Sequence, residues 1–363
     1  MKLTAKIILR PTAEQVALLR ETLQEANAAC NYASQVAWDT QTFNRFLLHH
    51  LVYYGIREKF NLSGQATIRV IAKVATSYKS NRANRHIFQP LGAFPYDDQS
   101  LRFKCADQVI SIWTVGGRQC IPYQCGERQY LLLKKRQGES KLSYSKRRYY
   151  LLVTCEVEAL GPKSINDFLG IDMGIVNLAT DSDGEFYGGG EIRKNCQKYI
   201  HRRRNLQKKR TAAARRKLCD LSGRQARYQL DINHRVSKHV VRKAKDTERG
   251  IAIEDLKGIR ERTTVRRKQR AQHANWAFHQ LRHLIGYKAE INGVIVVAVN
   301  PRNTSRTCPA CGCVDKANRH SQYAFFCVSC GFSAPADIIA ALNIRARAVA
   351  NQPNAPCVQG NAV

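Results

Sequence analysis

Thr307 to Ile344 reads TCPACGCVDKANRHSQYAFFCVSCGFSAPADIIAALNI, and its two halves carry Cys308-x2-Cys311 and Cys327-x2-Cys330. Each pair is followed by a glycine, Gly312 or Gly331, which lets the backbone turn tightly. Two such knuckles present four thiolates at the corners of a tetrahedron, the arrangement that suits a borderline-soft ion such as Zn²⁺. Four protein ligands close the shell, so one structural Zn²⁺ is expected. Free thiols or disulfides are the competing reading, but paired C-x2-C knuckles at this separation favour metal. Cys313, just past the first knuckle, reads as a bystander. Beyond the ribbon, Ala340, Ala341, Ile344 and Ala348 recur at helical spacing, with Asp337 in the first turn. That carboxylate reads either as a helix cap or as a group whose direction the ribbon fixes.

The 363 residues are enough for two or three cores, and 59 Lys+Arg against 28 Asp+Glu give a formal net charge of +31. A chain so positive repels itself and calls for a polyanion, with nucleic acid the leading partner. No apolar run is long enough to span a bilayer, so a membrane partner is not expected. The amino end lacks a signal-peptide pattern, and the 13 cysteines accordingly read as reduced thiols, four of them on metal.

Outward from the ribbon, residues 2–9 alternate as a strand, and Thr12-x-x-Gln15 opens a helix whose apolar face is Leu19, Leu23, Ala26, Cys30, Ala33 and Ala37. A further helical region continues to about Lys79, with Ile68, Ile71, Ala72 and Ala75 as its apolar face. Aromatic and basic side chains are interleaved here, and Tyr32, Gln65, Arg69 and Lys73 are candidate nucleic-acid contacts. From about Gly92 to Glu158 the period changes to two. Val109–Trp113, Tyr130–Leu133 and Tyr149–Val157 read as strands of a small antiparallel barrel or sheet that also takes in the first strand.

Phe168 to Glu185, FLGIDMGIVNLATDSDGE, opens a second region: a buried strand ending at Asp172, another from about Val176 to Thr180, and a hairpin turn at Asp181–Gly184. Such an element serves either as a metal-ligand site in RNase H-like nucleases or as a phosphate site in actin-like ATPases, so this stretch alone leaves the chemistry open. Residues 192–217 hold no acidic side chain, and Arg202, Arg203, Arg204, Lys208, Lys209 and Arg210 are assigned to an RNA- or DNA-binding helix pair. A helix from about Leu230 to Lys245 leads into the apolar strand GIAIEDL, which delivers Glu254 and Asp255 to opposite faces. Glu254 is the one expected to join Asp172. Thr263–Arg270 reads as a basic loop, His273–Tyr287 as a helix and Val294–Val299 as a buried strand.

Asp172, Glu254 and Asp337, brought together, would not all stay ionised without cations. Two Mg²⁺ ions answer this, because hard divalent ions take oxygen ligands and keep open positions for water and phosphate. At about 3.5–4 Å apart, such a pair stabilises both the attacking and the leaving oxygen of a phosphodiester hydrolysis.

GIDMG around Asp172, IAIEDL around Glu254, TSRTCPACG with FFCVSCG, and ADIIAALNI around Asp337 together resemble the TnpB (OrfB) proteins of bacterial and archaeal insertion sequences, compact relatives of type V CRISPR effector nucleases. The resemblance follows the whole chain in domain order and is most specific from Gly170 to Ile344. It implies a multidomain α/β protein: a wedge-like β-barrel (1–10 and 92–165) with a helical recognition insertion (11–91), and an RNase H-like RuvC nuclease domain (166–305 and 333–350) with an inserted zinc ribbon (306–332). Residues 351–363 are expected to be a disordered tail. The activity implied is an Mg²⁺-dependent, RNA-guided DNA endonuclease with a guide RNA transcribed from the transposon end. Target double-stranded DNA would be the second partner, with one protein per RNA, in the prokaryotic cytoplasm at the nucleoid. By the same resemblance Asp172, Glu254 and Asp337 would hold Mg²⁺, and Cys308, Cys311, Cys327 and Cys330 would hold Zn²⁺. The family pattern D-x-N-A-A has Ile339 here in place of its asparagine. Relatives that lack the carboxylates act as RNA-guided repressors, the alternative to cleavage.

Overall fold

The computed structural model describes residues 1–105, 107–161, 165, 167–174, 177–188, 190–255, 278–321 and 323–351. Two compact units divide the chain, Met1–Glu158 and Ala159–Val363.

In the first unit, β1 (Lys2–Leu9) is followed by three helices, α1 (Ala13–Asp39), α2 (Arg45–Lys59) and α3 (Gly64–Ser80). Thr12 accepts from the Gln15 amide while the Gln15 side chain accepts from the Thr12 amide, the reciprocal cap expected from the sequence. All six residues of the expected α1 face are buried. The α3 face is turned relative to expectation: Ala66, Val70, Ile71, Val74, Ala75 and Tyr78 are buried, whereas Ile68 and Ala72 are half-buried. The strands β2 (Phe94–Tyr96), β3 (Leu101–Lys104), β4 (Val109–Thr114), β5 (Gly117–Gln124), β6 (Arg136–Ser145) and β7 (Arg148–Glu156) join β1 in a nearly closed antiparallel sheet ordered β2-β6-β7-β1-β5-β4-β3.

One expected strand is a helix. Tyr130–Leu133 lies in α4 (Glu127–Leu133), with only Leu133 buried and Leu131 on the surface. A four-residue apolar run has no period of its own, and leucine after an acidic first turn follows its helical preference.

The second unit centres on a five-stranded sheet ordered β10-β9-β8-β11-β12. The strand β9 (Ala179–Asp181) runs antiparallel to both its neighbours, β8 (Phe168–Asp172) and β10 (Phe186–Tyr187), and β11 (Gly250–Glu254) and β12 (Val296–Val299) run parallel to β8. Between β10 and β11 stand α5 (Gly190–Lys208) and α6 (Ala212–Asp246), and between β11 and β12 stands α7 (Phe278–Ile291). The expected helix from Leu230 is the second half of α6, one continuous element of 35 residues that Thr211 caps at its start. Thr263–Arg270 and the residues after 351 lie outside the described residues.

Alternation along the central strands assigns their faces. Leu169, Ile171, Ile251 and Ile253 pack with Ile232, Val236, Val240, Leu281 and Ile285 of α6 and α7. Phe168 and Ala252 point the other way, onto Ile344 and Ala348 of α8 (Ala336–Ala350). With a period of two, Asp172 and Glu254 fall on the α8 face.

Candidate active site

The register Ile253↔Ile171 makes Asp172 and Glu254 the next residues on adjacent parallel strands, where backbones lie about 4.8 Å apart. Asp337 sits in the first turn of α8, which lies directly against β8. Gly170 permits that approach: a Cβ there would come 2.1 Å from the Ala341 carbonyl oxygen. Two strand ends and a helix start thus bring the three sequence-predicted carboxylates together. Asp255 faces away and accepts from Arg282 at 2.8 Å.

Burial first, then the neighbouring Glu254 and Asp337, push the Asp172 carboxyl up from 3.8 to about 8. Burial also raises Glu254, against a hydroxyl bond from Thr304 at 2.6 Å. Arg319 pulls Asp172 down, and Arg347 and Arg319 pull Glu254 down, yet both carboxyls stay raised. Among the described residues, Asp337 accepts from the Asn177 amide at 3.0 Å and no donor bonds the Asp172 carboxylate. A few residues on, the contrast is clear: Asp181, Asp183 and Glu185 gather around Lys243 at 2.5, 3.2 and 3.2 Å, and Arg249 adds a bond to Asp183 at 2.6 Å. That second acidic cluster carries its own cations. The Asp172 cluster, hard oxygen donors with like charges brought close, has the donor chemistry of a divalent-cation site, although among the described residues only the four ribbon sulfurs are gathered within 4.8 Å of one another.

Thr304 and Asn343 escape a motif reading, because threonine and asparagine have no metal-ligand spacing. The one signal was a polar residue interrupting the apolar face of α8. Asn343 is buried and donates both amide protons, to the carbonyls of Thr304 (2.7 Å) and Thr307 (2.8 Å).

In the ribbon, the Cys308, Cys311, Cys327 and Cys330 sulfurs all lie within 4.8 Å of one another. Cys308–Cys330 is 3.7 Å and Cys311–Cys327 is 3.5 Å, against edges of about 3.8 Å for a tetrahedron with Zn–S of about 2.3 Å. Cys313 is outside the set. Gly312 and Gly331 both adopt positive φ, 74° and 75°, at the knuckle turns. Ile339 is fully buried with Cys308, Phe325, Cys327 and Ala336, so the residue that departs from the family pattern joins helix to ribbon by apolar packing.

Of the basic residues, Arg202, Arg204, Lys208, Lys209 and Arg210 are exposed on α5 and the turn after it. Arg203 is half-buried and ties α5 to α6 through Ser222 and Gln225, both at 3.1 Å. In the first unit the candidates have internal partners. Tyr32 lies against Phe60 and under Lys59, Gln65 and Arg69 hold Asp97, and Lys73 donates to Asn27 at 2.7 Å. Among the described residues no helix is long and apolar enough to cross a membrane.

Comparison with known proteins places these features. Residues 152–264 match the family profile described as "Probable transposase" (OrfB_IS605), and residues 278–344 match the "Cas12f1-like, TNB domain" profile. A TnpB-like protein of Methanocaldococcus jannaschii is 31% identical over 201 residues, covering 52% of this chain and 71% of that one. A protein of Escherichia coli named "Putative RNA-guided DNA endonuclease InsQ" is 30% identical over 297 residues, covering 73% of this chain and 71% of its own.

The chain belongs to the TnpB (OrfB) family.

This TnpB-family chain is also 33% identical over 221 residues to the CRISPR-associated endodeoxyribonuclease Cas12f1 of Sulfoacidibacillus thermotolerans, and the match spans 55% of the chain but only 50% of that relative. The fold is shared with Cas12f1 in a complex with sgRNA and target DNA: TM-score 0.66 at 16% identity, over 92% of the chain and 83% of Cas12f1.

Proposed function

We propose that the protein is an RNA-guided DNA endonuclease that hydrolyses phosphodiester bonds at Asp172, Glu254 and Asp337. The observation that carries this reading is the convergence of three carboxylates, from β8, β11 and α8, none of which is in a salt bridge among the described residues; Arg319 and Arg347 act on the cluster only from a distance. The named activities of InsQ and Cas12f1 support it. So does a sheet of three antiparallel strands extended by two parallel ones, which we read as the RNase H-like RuvC domain interrupted by the ribbon. The first unit is read as the wedge barrel with its helical recognition insertion at 11–91.

Asp172, Glu254 and Asp337 would hold two Mg²⁺, which when bound supply an activated water and neutralise charge on the scissile phosphate. The protein's own part is to hold the three oxygens in place: Thr304 orients Glu254, Asn177 orients Asp337, and the close seat of α8 on Gly170 fixes the distance between helix and strands. Cys308, Cys311, Cys327 and Cys330 would hold one Zn²⁺, giving the ribbon its shape. The exposed cations of α5 would neutralise the backbone of a guide RNA or target DNA. Guide RNA and double-stranded target DNA are the partners, with one protein per RNA, in the prokaryotic cytoplasm at the nucleoid.

An RNA-guided repressor without cleavage is disfavoured because all three carboxylates are present and adjacent. The test is Mg²⁺-dependent cleavage of a target matched to the RNA that co-purifies with the protein. Asp172→Ala, Glu254→Ala and Asp337→Ala should each abolish cutting while leaving guide-dependent DNA binding intact. Cutting at the parent rate by any of the three refutes the site.

A further inference from the structure

We propose that Thr304 and Asn343 form a positioning relay for Glu254, through which the helix carrying Asp337 also sets the direction of the carboxylate on the neighbouring strand. The inference rests on the nuclease reading above and adds two residues that touch neither substrate nor metal.

The contacts run in one line. Thr304 lies in the segment between β12 and the ribbon, 3% exposed, and its hydroxyl is 2.6 Å from the Glu254 carboxylate and 3.1 Å from the Pro301 carbonyl. A hydroxyl has one proton to give, and the shorter bond to the charged acceptor is the stronger. Its direction depends on the Thr304 backbone. That backbone is gripped from α8, because Asn343, 6% exposed, donates to the carbonyls of Thr304 and Thr307 at 2.7 and 2.8 Å. Both amide protons of Asn343 are therefore spent on the segment that carries Thr304. Asp337 and Asn343 belong to one rigid helix, and α8 is seated on β8 at Gly170. Any displacement of α8 thus moves Asp337 and, through Asn343 and Thr304, the Glu254 oxygen with it.

The chemistry explains why a neutral relay is used. A lysine or arginine in direct contact with Glu254 would neutralise it and compete with a divalent cation, as Lys243 does for Asp181, Asp183 and Glu185; Arg347 and Arg319 act on Glu254 without forming a salt bridge to it. A hydroxyl occupies one lone pair, fixes the rotamer and leaves the other oxygen and the charge for metal. Groups that orient a ligating carboxylate in this manner are worth about 10–100-fold in metal affinity or activity.

The test compares Thr304→Val, which keeps the shape and removes the donor, Thr304→Ser, which keeps the donor, and Asn343→Asp, which removes both amide donors. The first readout is Mn²⁺ binding by electron paramagnetic resonance to the full chain freed of nucleic acid. Thr304→Val should weaken it by about 10-fold or more, and Thr304→Ser should stay within about twofold of the parent. The second readout is the single-turnover cleavage rate of the RNA-loaded protein against Mg²⁺ concentration. Thr304→Val and Asn343→Asp should both need more Mg²⁺ for half the maximal rate, and the double variant should be no worse than the poorer single one, since both act through one bond. Zinc content and RNA retention should not change. Parent-like Mn²⁺ affinity and Mg²⁺ dependence in Thr304→Val, or additive losses in the double variant, overturn the relay while leaving the nuclease reading standing. Weakened Mn²⁺ binding in Thr304→Val beside a parent that never cuts DNA supports the relay and overturns the nuclease reading instead.

Discussion

Replacing Asp172 by Asn should change how stability depends on pH in the protein free of Mg²⁺. Burial and two neighbouring carboxylates raise the Asp172 carboxyl from 3.8 to about 8. Between those values the unfolded chain has released this proton while the folded chain keeps it, so the folded state binds more protons and stability falls as pH rises. Integrated from pH 5 to pH 8, the loss is about 3.5 kcal/mol as an upper bound, because water and counter-ions relax around the charged carboxyl. The carboxylates that act in the opposite sense have finished titrating below pH 5, and Cys327, lowered to about 6, is present in both proteins and cancels in the comparison. Arg249 bonds hold Asp183 low, and at Asp97 burial is outweighed by bonds from Ser100, Gln65 and Arg69, which bring it to about 2. Glu254 is raised as well, but it is present in both proteins and largely cancels in the comparison. Urea unfolding at pH 5, 6, 7 and 8 should therefore show the parent weakening along the series and Asp172→Asn weakening much less, with the variant the more stable at pH 8. Millimolar Mg²⁺ should restore the parent at pH 8 and leave the variant almost unmoved. Parallel pH curves for the two proteins, or an equal response to Mg²⁺, would refute the uncompensated cluster.

Gly170→Ala should destabilise by about 3 kcal/mol by chemical denaturation, since its Cβ would sit 2.1 Å from the Ala341 carbonyl; a loss within about 0.5 kcal/mol would mean that α8 is not seated there. Cys327→Ser should abolish zinc retention by atomic absorption and lower soluble yield, because ligand loss removes part of a binding energy of about 10–16 kcal/mol that also folds the ribbon; the same zinc content as the parent rejects the ligand set. Replacing Arg202, Arg204, Lys208 and Lys209 together with Ala should reduce the slope of log affinity for RNA against log salt by about 2–4, and an unchanged slope removes α5 from the nucleic-acid surface.

The legible parts of the chain were those where one side chain type has one use. Cysteine pairs at knuckle spacing gave the ribbon with its four sulfurs, and Cys313 was set aside from the same pattern. Alternation gave β1 and β7 and divided Glu254 from Asp255, and a β-branched, aromatic run gave β4. The Thr12–Gln15 cap gave the start of α1. Failures came where composition is compatible with two structures. Tyr130–Leu133 has the same residues in a strand or a helix, and its neighbours Gly126 and Glu127 decided for the helix. The charge density of residues 192–217 hid the length of α6, whose second half is held by Ile232, Val236, Val240, Val241 and Ala244 against the sheet. Packing supplied what the charged first half would not.

Glu254 and Asp337 are 83 residues apart in sequence and converge only in the folded second unit. The ribbon is inserted between the segment that supports one and the helix that carries the other. It leaves from Thr304–Thr307, whose carbonyls Asn343 holds, and returns at Ala336, which is buried against Cys308 and Cys327 with Ile339. Its two ends are therefore fastened to the same helix, one by hydrogen bonds and one by apolar packing. An insertion anchored in this way can be long without loosening the acidic cluster, because the entropy of closing it rises only slowly with length and a metal held by its four sulfurs would fix its interior. Ile339 suits such an anchor: a fully buried branched side chain in a ribbon core supplies rigidity that a polar residue there would have to recover through a hydrogen bond.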